Sequence, residues 1–388
     1  MSRHEITRAR AFAFIASLGV VSLFADMTYE GARSIIGPFL KGLGASAAAV
    51  GFIAGFGEML AAGLRLFTGR LVDRTHAYWT MTILGYLLTV VAVPAMALAG
   101  NWQVAALLII LERTGKSLRG PARDVLLSGA TASVGHGVGF GLHAAMDQTG
   151  AVLGPLFVMA AVAGHGAYAP AFARLALPGV VAIVALLVAR AWSPPANPAP
   201  PPAQEKLPPV FWKYVAAAGL LAFGYIDFAL LAFHFQQSAT VSAETIPLLY
   251  AIAMGANGLG AFVLGRAFDR IGSVALAIGI ALGTMALPLA LLGGRAGAFA
   301  GVAAWGFGLG AQDGCLRPAI AQVVSMNKRG AAFGAFSAVF GVAWFLGSSL
   351  MGELYERSLV AVVVCGAAAQ VAAAALFLAT SASASERP

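Results

Sequence analysis

Residues 111 to 124 read LERTGKSLRGPARD, directly after an apolar run from Trp102 to Leu111. Run and stretch together make one membrane helix whose second half carries Glu112, Arg113, Lys116 and Arg119. A charge at the centre of a membrane helix costs about 2.5–3.5 kcal/mol on insertion scales, so it persists only beside a partner, beside a water-filled cavity or in service of a function. The fourteen residues therefore point to a polytopic membrane protein with working charges inside it.

The rest of the chain agrees. Of 388 residues, 60% are hydrophobic and 10% charged, with a mean hydropathy of +0.84, whereas a soluble domain carries about 25% charged residues. The formal charge of +8 is explained by membrane topology rather than by a nucleic-acid partner. Cys315 and Cys365 both lie in apolar surroundings and support neither a disulfide framework nor a metal cluster; no metal or cofactor is expected. The apolar segment from Ala11 is too long for a cleavable signal and leads into charged residues.

A spanning helix needs about 20 apolar residues. That ruler gives twelve spans, near 11–38, 46–68, 78–98, 102–120, 138–163 and 171–192, then 212–235, 246–264, 274–293, 299–322, 331–352 and 358–379. Between them, SPPANPAPPPAQEKLPP (193–209) is too rich in proline for helix and favours polyproline II. The expected architecture is an all-α membrane protein of twelve transmembrane helices in two six-helix repeats: a bundle over 1–192, a Pro-rich linker over 193–210 and a bundle over 211–388. Among the loop lysines and arginines only Lys41, Arg174, Arg295 and Arg357 fall on the far side, which places both termini and the linker in the cytoplasm.

The two bundles echo each other. Gly69-Arg70-Leu71-Val72-Asp73-Arg74 recurs as Gly265-Arg266-Ala267-Phe268-Asp269-Arg270, each just after the second helix of its half. Leu118-Arg119-Gly120-Pro121 recurs as Leu316-Arg317-Pro318, Phe140-Gly141 and Gly154 recur as Phe333-Gly334 and Gly347, and Asp26 has a counterpart in Asp227. Parallel repeats related by an axis along the membrane normal are an architecture of secondary transporters.

These residues resemble the major facilitator superfamily over the whole chain. Gly69, Asp73 and Arg74 match its loop signature, with His76 standing where the second glycine falls and Tyr78 and Trp79 in place of the basic pair; the second copy keeps Gly265, Asp269, Arg270 and Gly272. Gly150, Gly154 and Pro155 fit the GxxxGP core of a signature associated with drug-exporting antiporters, with Val158 and Met159 where its terminal glycines fall, and Arg113 sits near the place of a membrane-embedded arginine implicated in proton coupling. The resemblance implies a latch between the halves formed by Gly69, Asp73, Arg74, Gly265, Asp269 and Arg270, broken when the inside opens.

Spacing groups the inner charges. Asp26, Glu30 and Arg33 share one face of the first helix with Tyr29 beside them; Glu112, Lys116 and Arg119 share a face of the fourth; His143, Asp147, Gly150 and Gly154 form a stripe on the fifth. Glu30 with Arg33 and Glu112 with Lys116 also fit as purely structural pairs. Asp26, Glu30, Glu58, Glu112 and Asp147 are the candidates for carrying a proton, since a carboxylate in a low-dielectric cavity holds its proton more tightly and exchanges it as access alternates. Tyr29, Arg33, Arg113, Lys116, Asp227 and Asp313 are the candidates for touching substrate, Asp313 with Arg317 one turn away as its structural alternative. Small residues at Gly150 and Gly154 permit a close helix crossing, and Pro155 is expected to kink the helix.

The reading is a proton-coupled transporter of a small organic solute in the bacterial cytoplasmic (inner) membrane, working by alternating access and leaning to efflux by antiport. Proton-linked uptake of an anionic metabolite, with Arg113 and Lys116 as anion site, is the alternative. Its partners are the solute, protons and the lipid bilayer, and nothing requires more than a monomer. An enzyme is not expected: the six histidines are scattered and no HExxH, GxSxG or CxxC pattern occurs.

Overall fold

The computed structural model describes residues 8–131, 134–163, 167–191, 193 and 207–385; the proline-rich stretch at 194–206, which is most of the linker expected over 193–210, lies outside them. The described chain is helical: α1 (Arg8–Arg33), α2 (Ile36–Gly42), α3 (Ala47–Thr75), α4 (Tyr78–Ala95), α5 (Trp102–Thr131), α6 (His136–Ala163), α7 (Ala169–Arg174), α8 (Ala176–Ala191), α9 (Pro209–Phe223), α10 (Phe228–Gln237), α11 (Thr245–Ile271), α12 (Ser273–Leu292), α13 (Gly294–Ala311), α14 (Arg317–Val323), α15 (Arg329–Arg357) and α16 (Leu359–Ser385). Among the described residues, 10 helical spans are long and apolar enough to cross a membrane. Large apolar side chains face outward on many of them, Phe262 at 71% exposure, Leu177 at 65% and Val91 at 61%. Apolar surface spread over so many helices is what a lipid solvent requires and water opposes.

Prolines decide where helices break, because each lacks the donor for the carbonyl four residues earlier. Pro38 withholds a bond from Ser34, and α1 gives way to α2 there; Pro178 withholds one from Arg174, the last residue of α7. Pro318 does the same to Gly314, inside a five-residue π turn, Gln312–Leu316, that separates α13 from α14. Pro121 leaves the Ser117 carbonyl without its usual donor, yet α5 runs on to Thr131, because the Thr68 hydroxyl donates to that carbonyl at 2.9 Å. The span expected to end at residue 120 is thus extended by a side-chain bond from α3. At Pro155, where a kink is expected, α6 continues as one helix to Ala163.

Packing divides the chain into two compact units, Met1–Arg33 with Leu64–Pro200, and Ser34–Gly63 with Pro201–Pro388. In the first, α6 crosses α1 so closely that a Cβ at Gly150 or Gly154 strikes the carbonyl oxygens of Leu23 and Met27. In the second, α15 crosses α9 in the same manner, a Cβ at Gly347 striking the carbonyl of Phe223. Residues of α2 and the first half of α3 belong to this second unit: Gly37 lies against the Ala229 carbonyl, Gly55 against Phe345 and Ser348.

Candidate functional site

In the first unit, α1 supplies a polar edge on which α5 and α6 converge. Tyr29, only 2% exposed, takes hydrogen bonds on its hydroxyl from Arg113 Nη1, from Lys116 Nζ at 2.8 Å and from Arg33 Nη1 at 3.2 Å. Two of these cations also lie over its ring, Lys116 Nζ 4.0 Å and Arg113 4.8 Å from the centroid, where the quadrupole attracts them. Glu112, 3% exposed, stands 3.6 Å from Arg113. Lys116, expected to pair with Glu112 one turn away, also reaches a tyrosine of another helix. Glu30 is half-buried next to Tyr29.

Two turns away on α1, at Ser22, a second cluster forms. Ser22 Oγ lies 3.0 Å from His143 Nε2 and accepts from Arg123 Nη1 at 3.2 Å. The other ring nitrogen of His143 is 3.5 Å from Asp147, and Arg123 reaches the same carboxylate at 4.0 Å. Arg119 is held apart by α4, donating to Thr89 Oγ1 at 2.6 Å and lying 4.8 Å over the Tyr86 ring. Asp26 sits between the clusters on the same face of α1. It makes no hydrogen bond among the described residues, but it lies in the electrostatic field of Asp147, Glu30, Arg119 and Lys116. The clusters combine arginines that stay charged, a phenol that accepts or donates, and carboxylates beside cations, Glu112 3.6 Å from Arg113 and Asp147 4.0 Å from Arg123.

The second unit solves its polar problem differently. α9 and α10 are separated by Gly224–Asp227, and the backbone groups freed there are individually satisfied. Gln370 Nε2 donates to the Gly224 carbonyl at 2.9 Å, Trp305 Nε1 to that of Ile226 at 2.8 Å, and Tyr225 donates its hydroxyl to the Trp305 carbonyl. Asp227 is the N-cap of α10, accepting from the Ala229 amide at 2.9 Å and from Trp344 Nε1 at 3.3 Å. Asp313 lies on the π turn and accepts from Asn257 Nδ2 at 2.9 Å. Glu58, half-buried on α3, belongs to this unit.

The loop-signature residues end helices. Gly69, Asp73 and Arg74 lie in the last turns of α3, Gly265, Asp269 and Arg270 in those of α11, with all four charged groups exposed. His76 has φ of 53° and Gly272, its counterpart, 55°; their amides close back on Val72 and Phe268, at 2.9 Å each. The substituted histidine therefore reproduces the positive φ that the glycine adopts freely.

Several partners lay outside the sequence reading. Ser22 was legible, one turn before Asp26 on the same face; Tyr86 and Thr89, three apart on α4, form a stripe of the same kind. Gln370, Trp305 and Thr68 carried no such signal, because each acts on a distant backbone carbonyl.

A helical chain with an apolar exterior and charged groups buried between its helices is an integral membrane protein. Residues 18–348 match the model of the Major Facilitator Superfamily, and the chain belongs to that family. An uncharacterized protein of Mycobacterium tuberculosis (strain ATCC 25618 / H37Rv) is 41% identical over 379 residues, 94% of this chain and 92% of the relative. The multidrug resistance protein MdtH of Proteus mirabilis (strain HI4320) is 34% identical over 118 residues, 30% of this chain and 29% of that protein. Among solved structures, the nucleoside transporter NupG superimposes with a TM-score of 0.73 at 13% identity, covering 95% of this chain and 98% of its own. The POT family transporter PepTSo does so with a TM-score of 0.74 at 13% identity, over 97% and 99%. At these identities the structural likeness speaks for the fold.

Proposed function

We propose that the protein is a proton-coupled secondary transporter of a small organic solute, acting by alternating access between two six-helix bundles, 1–192 and 211–388, joined by the linker at 193–210. The observation that carries the reading is Asp26, lying on α1 between the Tyr29 cluster and the Ser22–His143–Asp147 cluster in the field of both carboxylates and cations. A proton on Asp26 changes which of Lys116 and Arg119 has an anionic neighbour, and so couples protonation to the packing of α1 on α5. Glu30, Glu58, Glu112 and Asp147 stand as further proton carriers; Tyr29, Arg33, Arg113, Lys116, Asp227 and Asp313 stand as substrate contacts. Asp73 and Asp269, with their neighbouring arginines, act as latches at the ends of α3 and α11. Export is favoured by the Gly150, Gly154 and Pro155 motif on α6 and by the partial likeness to a multidrug resistance protein. The protein works as a monomer in a bacterial cytoplasmic membrane, both termini inside.

The test is solute-driven proton movement in proteoliposomes holding a pH dye, with chemically diverse solutes and the Asp26→Asn variant. Opposed fluxes lost in the variant support antiport; transport by Asp26→Asn with unchanged pH dependence removes Asp26 from the mechanism.

A second reading, proton-linked uptake of an anionic solute, has its own observation in the three cationic donors on the Tyr29 hydroxyl. An incoming carboxylate replaces the phenol as their acceptor. Arg113→Lys decides: a bidentate anion site loses affinity, whereas a helix-to-helix contact survives.

A further inference from the structure

The C-terminal end of α11, where the transport reading places Asp269 and Arg270 in a latch, also carries a notch on its outer face. Phe262, Val263, Arg266, Ala267, Arg270 and Ile271 enclose a notch of about 280 Å³ on the outer face of this one helix. Its apolar walls are unusually open, Phe262 at 71%, Val263 at 44% and Ile271 at 47% exposure, and both arginines are exposed. The six residues fall at i, i+1, i+4, i+5, i+8 and i+9, a single stripe along the helix. Ala267 creates the hollow, since it is the small residue between larger neighbours. At the corresponding place of α3 the sequence has Leu71 between Phe67, Arg70 and Arg74, which carries the same charges over a larger side chain.

We propose that this notch is a binding site for one acidic phospholipid, its phosphate held by Arg266 and Arg270 and the start of an acyl chain laid on Phe262, Val263 and Ile271 across Ala267. The charge pattern selects the occupant: two guanidiniums one turn apart at the end of an apolar stripe match a headgroup with net negative charge above hydrocarbon. The volume fits part of one chain, because pockets that swallow a whole drug-sized ligand span about 300–1,000 Å³. Asp269 lies at the same helix end but outside the lining, so it lowers the local field without entering the notch. The site stands apart from Tyr29 and Asp26 and does not depend on what the protein transports.

Native mass spectrometry of the full chain, released from neutral detergent with phosphatidylglycerol or phosphatidylcholine added, tests this directly. Wild type is expected to keep one phosphatidylglycerol with a preference of about 25-fold over phosphatidylcholine, taking about fivefold for each arginine near the headgroup plane. Arg266→Gln with Arg270→Gln abolishes the preference. Ala267→Leu keeps both charges, fills the hollow and is expected to lose the retained lipid; Val263→Trp fills it from the other wall and serves should Ala267→Leu fail to fold. Wild-type retention in both filled variants means that charge alone attracts lipid, and overturns the site. Equal retention of phosphatidylcholine by wild type overturns it also, as does a dimer that forms in wild type, falls apart in the filled variants and leaves lipid preference unchanged.

Discussion

The two units bury polar groups by opposite means. In the first, full charges are placed inside and neutralised by one another and by Tyr29: Glu112, Arg113 and Arg119 are each at most 4% exposed. In the second, neutral donors close the backbone left open between α9 and α10, Gln370 at Gly224 and Trp305 at Ile226, and the buried carboxylate of Asp227 accepts from an amide and an indole. A neutral amide or indole fixes one carbonyl and has little reason to move. Three cations share one phenol as acceptor, and an incoming anion competes with that phenol for them. If the proposed proton coupling holds, its device belongs in the first unit.

The largest effect is expected from Arg113→Met. Removing one member of a buried ionic cluster leaves the remaining charges poorly compensated, at a cost of about 3–5 kcal/mol, read as a lowered unfolding temperature in detergent together with lost transport. Its counterpart in the second unit is Trp305→Phe, which keeps the ring but leaves the Ile226 carbonyl without its donor, worth about 1–3 kcal/mol. Should Trp305→Phe prove as costly as Arg113→Met, or abolish coupling as fully, the division between an ionic and a neutral unit fails.

Gly154→Ala and Gly347→Ala probe what the units share. Each introduces a methyl against a carbonyl oxygen of the neighbouring helix, Met27 or Phe223, and overpacking of this kind costs about 1–3 kcal/mol. Similar losses in thermal unfolding are expected from both. A loss confined to one places the repeat at the level of sequence only.

Thr68→Val tests the long α5. The Ser117 carbonyl then loses its donor at 2.9 Å, and a destabilisation of about 1–3 kcal/mol is expected. The cost should shrink in a Pro121→Ala background, where the alanine amide restores the helical bond; a double-mutant cycle in thermal unfolding measures that coupling. An additive result removes the compensation argued for Pro121.

Much of this was open to reading. Long apolar runs announced the helices, and the doubled Gly–Arg–x–x–Asp–Arg signature announced the family because it falls twice at matching helix ends. The inner charges were found for the same reason that makes them costly: nothing else in so apolar a chain looks like Arg113 or Asp26. Their partners were harder. Spacing along one helix suggested Glu112 with Lys116 but gave no sign of Tyr29 on another helix, whose hydroxyl accepts from Lys116; a period of 3.6 ranks neighbours on a helix and is silent about neighbours across it. Breaks were half legible. Pro38 and Pro178 mark theirs, but Pro121 marks none, since Thr68, 53 residues earlier in the sequence, supplies the missing bond. The opening at Gly224–Asp227 contains no proline at all and rests on Gln370 and Trp305, which only the folded chain brings to it.

The smallest effect concerns the helix ends, where the comparison comes down to one residue. His76 holds a φ of 53° at the end of α3 and Gly272 holds 55° at the end of α11. A side chain in this region costs about 1–2 kcal/mol, which glycine escapes, while glycine gives back about 0.4–1 kcal/mol through the greater freedom of the unfolded chain. His76→Gly also loses the edge contact with Tyr78, whose ring centroid is 6.1 Å away. The net change is expected to be a gain in stability of under about 1 kcal/mol, seen as a small rise in unfolding temperature. Gly272→His should lose more than that gain, because the glycine ψ of −136° lies outside the left-handed helical well that a histidine tolerates. A stabilised His76→Gly with a costly Gly272→His shows two turns closed alike by their amides yet held differently by their residues; a destabilised His76→Gly would mean instead that the histidine ring, and not the backbone alone, holds the end of α3.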